Sequence, residues 1–350
     1  MDYCRSLDGL RAFAVLAVLA FHAGHLRGYA VGGFLGVDVF FVLSGYLIST
    51  ILLRQMEQTG AIDFRGFWLR RAARLAPALA FFLIVYCLVA PFAFPRQSVA
   101  DHFRDALLTA LYLSDYSFAL YGIPGILQHS WSLSVEAHFY LLWPVAMLGL
   151  ARSRRPLSLL FAAWALAIAW KTGVILTEGW NAGYYRADTR FSGFLAGAAL
   201  VFVLRNGPWK PGATLIWSSV AAMLWVMANS DFGDPLALVL GGAMFEAATV
   251  TLIAGAVCGT TPELLRRLFE SRGAVAIGRL SYGLYLWHYP IALLLRERFD
   301  FLTTLVLTAL LSTLLAALSY ATVEARFRRD GAGTAPIRRW RRRRRDNTPS

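Results

Sequence analysis

Apolar runs long enough to cross a lipid bilayer recur along the whole chain, and they restrict its fold more than any other feature. A transmembrane helix needs about 20 predominantly apolar residues, and 57% of this chain is hydrophobic. Only 16% of its residues are charged, compared with roughly 25% in soluble domains. The pattern predicts an all-α polytopic membrane helix bundle of about ten transmembrane helices. These are expected at residues 7–26, 34–53, 75–94, 133–150, 157–176, 188–204, 213–229, 236–258, 279–296 and 301–323.

Basic residues are distributed unequally between alternate loops, and this sets the expected orientation. Cytoplasmic loops of membrane proteins carry the excess of Lys and Arg. Segment 54–74 holds five arginines, whereas residues 229–235 hold no Lys or Arg. We therefore expect both termini to be cytoplasmic, with a membrane-embedded domain at residues 1–325 and a basic cytoplasmic tail at 326–350.

The formal net charge of +13 is concentrated in short segments. The segment Arg338–Arg345 reads RRWRRRRR, and basic segments beside a membrane attract anionic lipids. We therefore expect membrane lipids, and no nucleic acid, as partners of this tail. The three cysteines have no metal-ligand spacing, so the sequence predicts no metal site.

Two ionisable residues, Arg11 and His22, interrupt the first apolar segment. Eleven residues at 100° each amount to about 1,100°, within roughly 20° of three full turns, so both side chains face the same way about 16 Å apart. An ionisable residue inside a membrane indicates function by default, because its charge costs roughly 2.5 kcal/mol or more in hydrocarbon. We expect this helix face to line a polar path. The alternative is a structural pair satisfied by neighbouring helices.

The predicted orientation brings further polar residues to the same part of the membrane. His22, Asp38 and Glu136 are expected to share one level in the outer half of the bilayer. A carboxylate orients a neighbouring histidine and makes it more basic, which suits a general base acting on a hydroxyl. His288 lies two residues before a proline, and we interpret it as a hydrogen-bonded imidazole at a helix kink rather than as a catalytic group.

Arg70, Arg71 and Arg74 form a cluster just before the third apolar helix. An arginine fork fits two phosphate oxygens at once, so the cluster could bind a phosphate-rich ligand. The alternative is ordinary anchoring of the helix to the cytoplasmic leaflet. Because Arg11 lies between this cluster and His22, the sequence predicts an anionic ligand that enters from the cytoplasm and reacts further along the polar path.

Six stretches of the chain, in order over residues 5–325, resemble the acyltransferase-3 family of integral membrane acyltransferases. The first, SLDGLRAFAVLAVLAFH, resembles the family's R-x10-H motif through Arg11 and His22. One departure is Ala73, where many members have another arginine. The other five stretches are FFVLSGY at Phe40–Tyr46, RRAARLAPAL from Arg70, WSLSVEAHFYLLWP at Trp131–Pro144, YRADTRFSGFLAG at Tyr185–Gly197 and GRLSYGLYLWHYP at Gly278–Pro290.

The resemblance implies transfer of an acyl group, most often acetyl, from cytoplasmic acyl-CoA to a hydroxyl of an extracytoplasmic or membrane-bound carbohydrate. That acceptor could be a polysaccharide, a lipid-linked sugar or a glycosylated metabolite. The resemblance further implies acyl-CoA as a co-substrate with no bound cofactor, a multi-pass location in the inner (cytoplasmic) membrane, and partners in envelope biosynthesis.

The same resemblance implies roles for individual residues. His22 would take the proton from the acceptor hydroxyl, with Glu136 or Asp38 orienting it, and Arg11 would line the donor path. The cluster of Arg70, Arg71 and Arg74 would hold the nucleotide end of coenzyme A. Backbone N–H groups near Ser44 and Gly45 are candidate oxyanion donors, although Gly45 could equally be a close helix contact. The motif residues without an assigned role are Trp131, Ser132, Asp188, Arg190, Ser281, Tyr282 and His288.

Two functions of other classes fit parts of the pattern. A proton-coupled transporter also uses intramembrane His, Asp, Glu and Arg, but the chain has no inverted repeat and no paired broken helices. A non-catalytic scaffold for glycan assembly predicts that His22 is dispensable. Some members of the family carry an added soluble esterase-like domain. We expect the activity of this chain to be intramembrane, unless a separate protein completes it.

Overall fold

The computed structural model describes residues 3–24, 28–207 and 209–324, so the basic tail predicted at 326–350 lies outside the described residues. Within the described residues the chain is all-helical and forms no strand. The helices are α1 Arg5–Gly24, α2 Gly36–Thr59, α3 Phe64–Ala93, α4 Val99–Ala110, α5 Ser114–Tyr121, α6 Trp131–Arg152, α7 Pro156–Glu178, α8 Trp180–Tyr185, α9 Phe191–Asn206, α10 Ala213–Asn229, α11 Gly242–Cys258, α12 Glu263–Phe269, α13 Arg272–Arg296 and α14 Phe301–Ser319.

Seven helical segments in the described part of the chain are long and apolar enough to cross a membrane. Helices α9 and α10 are apolar but shorter, and α13 carries polar residues along its 25-residue length. Each of the ten predicted segments corresponds to a helix. The number of ten crossings and the cytoplasmic position of both termini stay predictions. The seven segments are Arg5–Gly24, Val31–Thr59, Phe64–Ala93, Gln128–Arg152, Pro156–Glu178, Ala237–Cys258 and Phe301–Glu324.

Two helices begin well before the apolar runs from which they were predicted. Helix α3 begins at Phe64, because the Asp63 side chain accepts a hydrogen bond from the backbone N–H of Gly66 at 2.8 Å. Helix α13 begins at Arg272, where Ser271 accepts from the N–H of Ala274 at 3.2 Å. Such caps start a helix regardless of whether its first turns are apolar, so an apolar run alone places these two boundaries wrongly.

Helices α1 and α2 form the centre of the bundle. In their most apolar windows 72% and 78% of the residues are buried, compared with 33% in α3 and 22% in both α7 and α14. The outer helices expose large apolar side chains such as Leu88, Leu166 and Leu314. A bilayer is the solvent in which such surfaces are stable. The two polar residues of the first segment, Arg11 and His22, therefore lie on a central helix.

Helix α1 runs parallel to α13. At the start of both helices, a side chain at Gly278 would collide with the backbone of Asp8. Towards their ends, His22 contacts His288. The arginine end and the histidine end of α1 therefore face the corresponding ends of α13, and the polar residues of both helices can line one path.

Candidate active site

A cavity of about 440 Å³ lies beside the first half of α1, between α2, α3, α6 and α13. We call it the arginine cavity, because Arg11, Arg71 and Arg74 line it together with a largely apolar wall. A largely apolar cavity that also presents cationic side chains suits a neutral chain that ends in an anionic group. The predicted arginine cluster therefore contributes two of its three members, Arg71 and Arg74, to this cavity.

Arg70 points elsewhere. Its guanidinium lies 3.5 Å from a carboxylate oxygen of Asp63 at the start of α3, and both side chains are more than half exposed. Arg71 instead lies over the aromatic rings of Phe67, at 5.6 Å, and Tyr140, at 5.9 Å. These two contacts direct Arg71 towards the cavity. Arg70 forms an exposed ion pair, and such pairs contribute little to stability.

Arg11 has an ionic partner within its own helix. Its Nη1 lies 3.0 Å from Oδ1 of Asp8, one turn earlier, and Asp8 also accepts a hydrogen bond from the hydroxyl of Tyr3 at 2.6 Å. The pair holds the guanidinium at the wall of the cavity. Both interpretations of Arg11 therefore hold in part. It forms an ion pair with a neighbouring residue, and it also lines the cavity.

Glu136 lines the arginine cavity, whereas His22 lines a different cavity described below. Oε1 of Glu136 accepts a hydrogen bond from Ser44 at 2.8 Å, and its Oε2 accepts one from Tyr140 at 3.2 Å. Ser44 lies six residues further along α2 than Asp38, so Glu136 lies at a different height in the bundle from Asp38. In this position the carboxylate complements the positive charge of the arginines.

Gly45 is a close helix contact. A β-carbon at this position would overlap the backbone of Phe194 on α9, and one at Gly197 would overlap the backbone of Val42 on α2. Ser44 and Gly45 lie inside the continuous helix α2, where backbone N–H groups already donate to carbonyls one turn earlier. The suggested oxyanion donors are therefore engaged, and the Ser44 hydroxyl remains as the polar group at this point.

A second cavity of about 210 Å³ lies beside the end of α1. We call it the histidine cavity, because His22 and His129 line it, with Gln128 and Arg296 among its other polar residues. The arginine and histidine cavities have two wall residues in common, Val37 and Tyr285. Arg11 and His22 thus line adjacent cavities on one side of α1, as their eleven-residue spacing predicts.

His22 and His288 form a hydrogen-bonded pair. Nδ1 of His22 lies 2.9 Å from Nε2 of His288, and Nδ1 of His288 lies 2.7 Å from the carbonyl oxygen of Tyr285. A carbonyl only accepts, so His288 donates from Nδ1 and its Nε2 accepts from His22. This arrangement assigns the proton of His22 to Nδ1 and its lone pair to Nε2. His288 is thus a hydrogen-bonded imidazole, as the sequence predicted. It also orients the ring of His22 through the hydrogen bond between them.

Asp38 pairs with Arg190. Its Oδ1 lies 2.8 Å from Nη2 of Arg190, and both side chains are almost completely buried. The guanidinium also lies over the rings of Trp131, at 5.6 Å, and Tyr184, at 5.0 Å. Asp38 thus bonds to Arg190 and Glu136 to Ser44. The residue that contacts the ring nitrogen of His22 is His288, where the sequence predicted a carboxylate.

Three further motif residues line the arginine cavity: Ser132, Ser281 and Tyr282. The hydroxyl of Ser132 lies 2.6 Å from that of Tyr285, and the hydroxyl of Tyr282 donates to the carbonyl oxygen of Leu75 at 3.2 Å. These contacts join α6 and α3 to α13. The contact of Ser132 with Tyr285 thus lies at the wall that the two cavities share.

Asp188 has a structural environment away from both cavities. It accepts hydrogen bonds from Trp170 at 2.7 Å and from Arg186 at 2.7 and 3.0 Å. Partial burial raises the pKa of this carboxyl, but the hydrogen bonds from Arg186 and Trp170 outweigh burial, and the pKa lies below its usual value. Asp188 therefore ties α7 to the segment that carries Arg190.

Lys171 and Glu246 form a second buried polar cluster that the sequence did not predict as a site. Ser192 donates to Oε1 of Glu246 at 2.5 Å, Trp164 donates to Oε2 at 2.8 Å, and Lys171 donates to Ser192 at 3.3 Å. All of these groups but Trp164 are fully buried. Charges of opposite sign offset each other here, which is the condition under which buried ions are tolerated.

Sequence reasoning gave no role to three residues of the site, two of which lie inside the quoted motifs and one just before a motif. Tyr140 lies four residues after Glu136, and Tyr285 lies three residues before His288, so both share a helix face with the motif residue. His129 lies two residues before Trp131 in a 3-10 turn, where no helical spacing applies. The first two could have been found from the periodicity of α6 and α13.

The comparisons with known proteins agree with these motifs. The family model of the acyltransferase-3 acyltransferase domain matches residues 5–323. The chain belongs to this family. As a member of the acyltransferase-3 family with several apolar helices, it is a multi-pass membrane protein.

Three relatives are named for O-acetyl transfer, and each alignment covers 94% of this chain. The chain is 32% identical to the peptidoglycan O-acetyltransferase OatA of Listeria monocytogenes, of which the match covers 56%. It is 34% identical to the putative peptidoglycan O-acetyltransferase YrhL of Bacillus subtilis, with 55% covered, and 30% identical to the O-acetyltransferase OatA of Staphylococcus aureus, with 58% covered. The chain thus spans a little over half the length of these relatives. No solved structure matches it.

The described part of the chain contains no group of side chains suited to a metal ion. None of its clusters brings together three or more His, Cys, Asp or Glu side chains that could hold a metal ion.

Proposed function

We propose that this chain is a membrane O-acyltransferase that moves an acyl group, most often acetyl, from acyl-CoA to a hydroxyl of a cell-envelope carbohydrate. The observation that carries this proposal is the contact between two chemically different cavities. A cavity with three arginines and a cavity with a hydrogen-bonded histidine pair meet at Val37 and Tyr285. The names of the relatives support acetyl as the group and peptidoglycan as the class of acceptor.

The arginine cavity would bind the donor. Coenzyme A ends in phosphate groups that an arginine fork can hold in two places, and Arg71 and Arg74 are the members of the cluster that line this cavity. Its thin, nearly neutral arm suits the apolar wall between α1 and α2. With the nucleotide at the arginines, the thioester would reach the shared wall at Val37 and Tyr285.

The histidine cavity would bind the acceptor, with His22 as the general base. The lone pair at Nε2 takes the proton of the acceptor hydroxyl while its oxygen attacks the thioester carbon. A new C–O ester bond forms and the C–S bond breaks. The leaving thiolate of coenzyme A then takes the proton from His22, so the histidine is returned to its starting state.

His288 would act as a positioning residue in this reaction. It would accept a hydrogen bond from the Nδ1–H of His22 and so keep the lone pair of His22 at Nε2. Fixing the tautomer of a histidine through its second nitrogen is a common way to prepare it as a base. Glu136 would balance the charge of the arginines and orient Ser44, and it would not act on His22.

The proposal is tested by the mass of surface glycans and glycolipids from cells that express the wild-type chain or His22→Ala. We expect a gain of one acyl group per modified sugar with the wild type and none with His22→Ala at equal amounts of inserted protein. The matched control is Leu166→Ala, at a side chain that is 70% exposed on α7. Acylation that persists in His22→Ala overturns the assignment of the base, and the absence of any acylated glycan with the wild type favours a transporter.

A further inference from the structure

A third cavity, of about 380 Å³, lies between the first halves of α1 and α13 and the end of α14. We call it the Arg279 cavity, because Arg279 lines it and does not line the arginine cavity. Asp8, Arg11 and Arg74 line both of these cavities. The two spaces therefore adjoin, and a ligand too long for the arginine cavity alone can continue into the Arg279 cavity.

Positive charge exceeds negative charge around the Arg279 cavity. Its described lining residues carry three guanidinium groups, Arg11, Arg74 and Arg279, and two carboxylates, Asp8 and Glu324. Asp8 is shared, since its Oδ1 lies 3.0 Å from Nη1 of Arg11 and its Oδ2 lies 3.7 Å from Nε of Arg279. One carboxylate thus faces two guanidinium groups, and the remaining positive charge suits an anionic ligand.

Arg279 and Tyr3 form a cation–π pair at the side of this cavity. The guanidinium carbon of Arg279 lies 5.0 Å from the centroid of the Tyr3 ring, and Nη2 of Arg279 donates to the Tyr3 hydroxyl at 2.9 Å. That hydroxyl donates to Asp8 at 2.6 Å, yet Tyr3 remains 57% exposed. Aromatic rings and arginine planes are the side chains on which nucleobases stack. The pair therefore offers a nucleotide both a stacking surface and a cation.

We propose that the Arg279 cavity binds the nucleotide end of coenzyme A, with Arg279 holding the 3′-phosphate and Tyr3 stacking on the adenine. This inference rests on the proposed function in taking acyl-CoA as the donor. Coenzyme A carries a diphosphate and, beyond it, a separate phosphate on its ribose. Arg11 and Arg74 lie where the two cavities adjoin and are placed for the diphosphate, and Arg279 lies beyond them. Arg279 thereby becomes a specificity-determining residue for the donor.

The test compares the binding of coenzyme A and 3′-dephospho-coenzyme A to the full chain in phosphatidylcholine nanodiscs, by calorimetry. We expect the wild type to bind coenzyme A about tenfold more tightly or better, the ratio that corresponds to one hydrogen bond between charged groups. In Arg279→Gln this preference should vanish, while the affinity for the dephospho form stays close to that of the wild type. Equal binding of both ligands to the wild type overturns the inference, and this comparison needs no variant.

Arg272→Gln is the matched control, since Arg272 is an exposed arginine in the first turn of the same helix and does not line the cavity. Its preference for coenzyme A should equal that of the wild type. A loss in Arg272→Gln as large as that in Arg279→Gln assigns the effect to surface charge and contradicts the inference.

The role of Tyr3 is tested separately. Tyr3→Leu removes the ring without removing a charge, so it should weaken the binding of coenzyme A and of the dephospho form by similar factors. Tyr3→Phe keeps the ring and should weaken both less. Wild-type affinities in Tyr3→Leu overturn the stacking of adenine on Tyr3.

The headgroups of anionic lipids carry the same phosphate chemistry and lie at the membrane surface. The comparison of the two ligands is therefore repeated in nanodiscs that also contain phosphatidylglycerol. A preference for coenzyme A that persists supports the nucleotide as the ligand of Arg279. A preference that phosphatidylglycerol abolishes assigns Arg279 to a lipid phosphate and contradicts the inference.

The outcome is separable from that of the proposed function because binding is measured without transfer. Coenzyme A that binds with no preference over its dephospho form contradicts the inference and leaves the O-acyltransferase intact. A wild-type chain that binds neither ligand contradicts both. A preference that depends on Arg279, in a protein that never transfers an acyl group, supports the nucleotide site and contradicts the enzyme.

Discussion

Nδ1 of His22 lies 2.9 Å from Nε2 of His288, and this contact joins the ends of two parallel helices, α1 and α13. Because His288 donates its own proton to the carbonyl oxygen of Tyr285, it can only accept from His22. A neutral imidazole thus orients the proposed base, in a position that the sequence assigned to a carboxylate.

His288→Phe should lower kcat of acyl transfer by about 10- to 100-fold, by analogy with the loss when the hydrogen-bond partner that orients a metal-bound histidine is removed. His288→Gln should recover part of this loss, because its amide oxygen can still accept from Nδ1 of His22. The measurement is kcat as a function of pH for both variants at equal thermal stability. If the two variants are equally impaired, the role of His288 is packing and not orientation.

Arg71→Ala and Arg74→Ala should each raise the Kd for acetyl-CoA about tenfold or more, because a hydrogen bond between charged groups contributes about 1.5–3 kcal/mol. Arg70→Ala is the matched control, since Arg70 pairs with Asp63 at the exposed start of α3, and its Kd should stay close to that of the wild type. The Kd is measured by calorimetry on purified protein. Equal effects of all three substitutions, or a loss of inserted protein at unchanged Kd, would favour simple anchoring to the membrane surface.

Asp38→Ala should lower the free energy of unfolding by about 3–5 kcal/mol, because it leaves the buried guanidinium of Arg190 without its partner. Asp38→Asn keeps the shape and one hydrogen-bond acceptor, so its loss should be smaller. Unfolding is followed in mixed micelles, alongside kcat per folded molecule, which should change little in Asp38→Asn. A stable Asp38→Asn protein without turnover would show instead that Asp38 takes part in the reaction.

Gly45→Ala should destabilise the fold by about 1–3 kcal/mol, the usual cost of forcing extra volume into a packed interior. The added methyl group meets the backbone of Phe194, which cannot move aside as a flexible side chain can. Gly173→Ala in α7 is the control, because a β-carbon there meets no atom within 4 Å beyond its chain neighbours and the nearby backbone of its own helix. Melting temperatures in the same detergent compare the two. A stable Gly45→Ala protein with reduced turnover would indicate instead that Gly45 takes part in catalysis.

The helices could be predicted from the sequence because apolar runs report directly on burial in lipid. The partners of Glu136 and Asp38 could not be predicted in this way, because they depend on contacts between helices that are distant in the chain. Asp38 lies 152 residues from Arg190, and His22 lies 266 residues from His288. The spacing of two residues shows whether they share a helix face, as for Arg11 and His22. It does not show which other helix packs against that face.

The central claim is that an acyl group passes from the arginine cavity to the histidine cavity with His22 as the base. The most direct test uses proteoliposomes with a single protein orientation, acetyl-CoA on one side and a peptidoglycan-type oligosaccharide on the other. We predict ester formation, with one CoA thiol released per ester, only when acetyl-CoA is on the side of Arg74. His22→Ala should reduce the rate by about 10²- to 10⁴-fold, the usual contribution of a general base. Transfer that requires both substrates on one side, or a His22→Ala rate close to that of the wild type, would contradict the account.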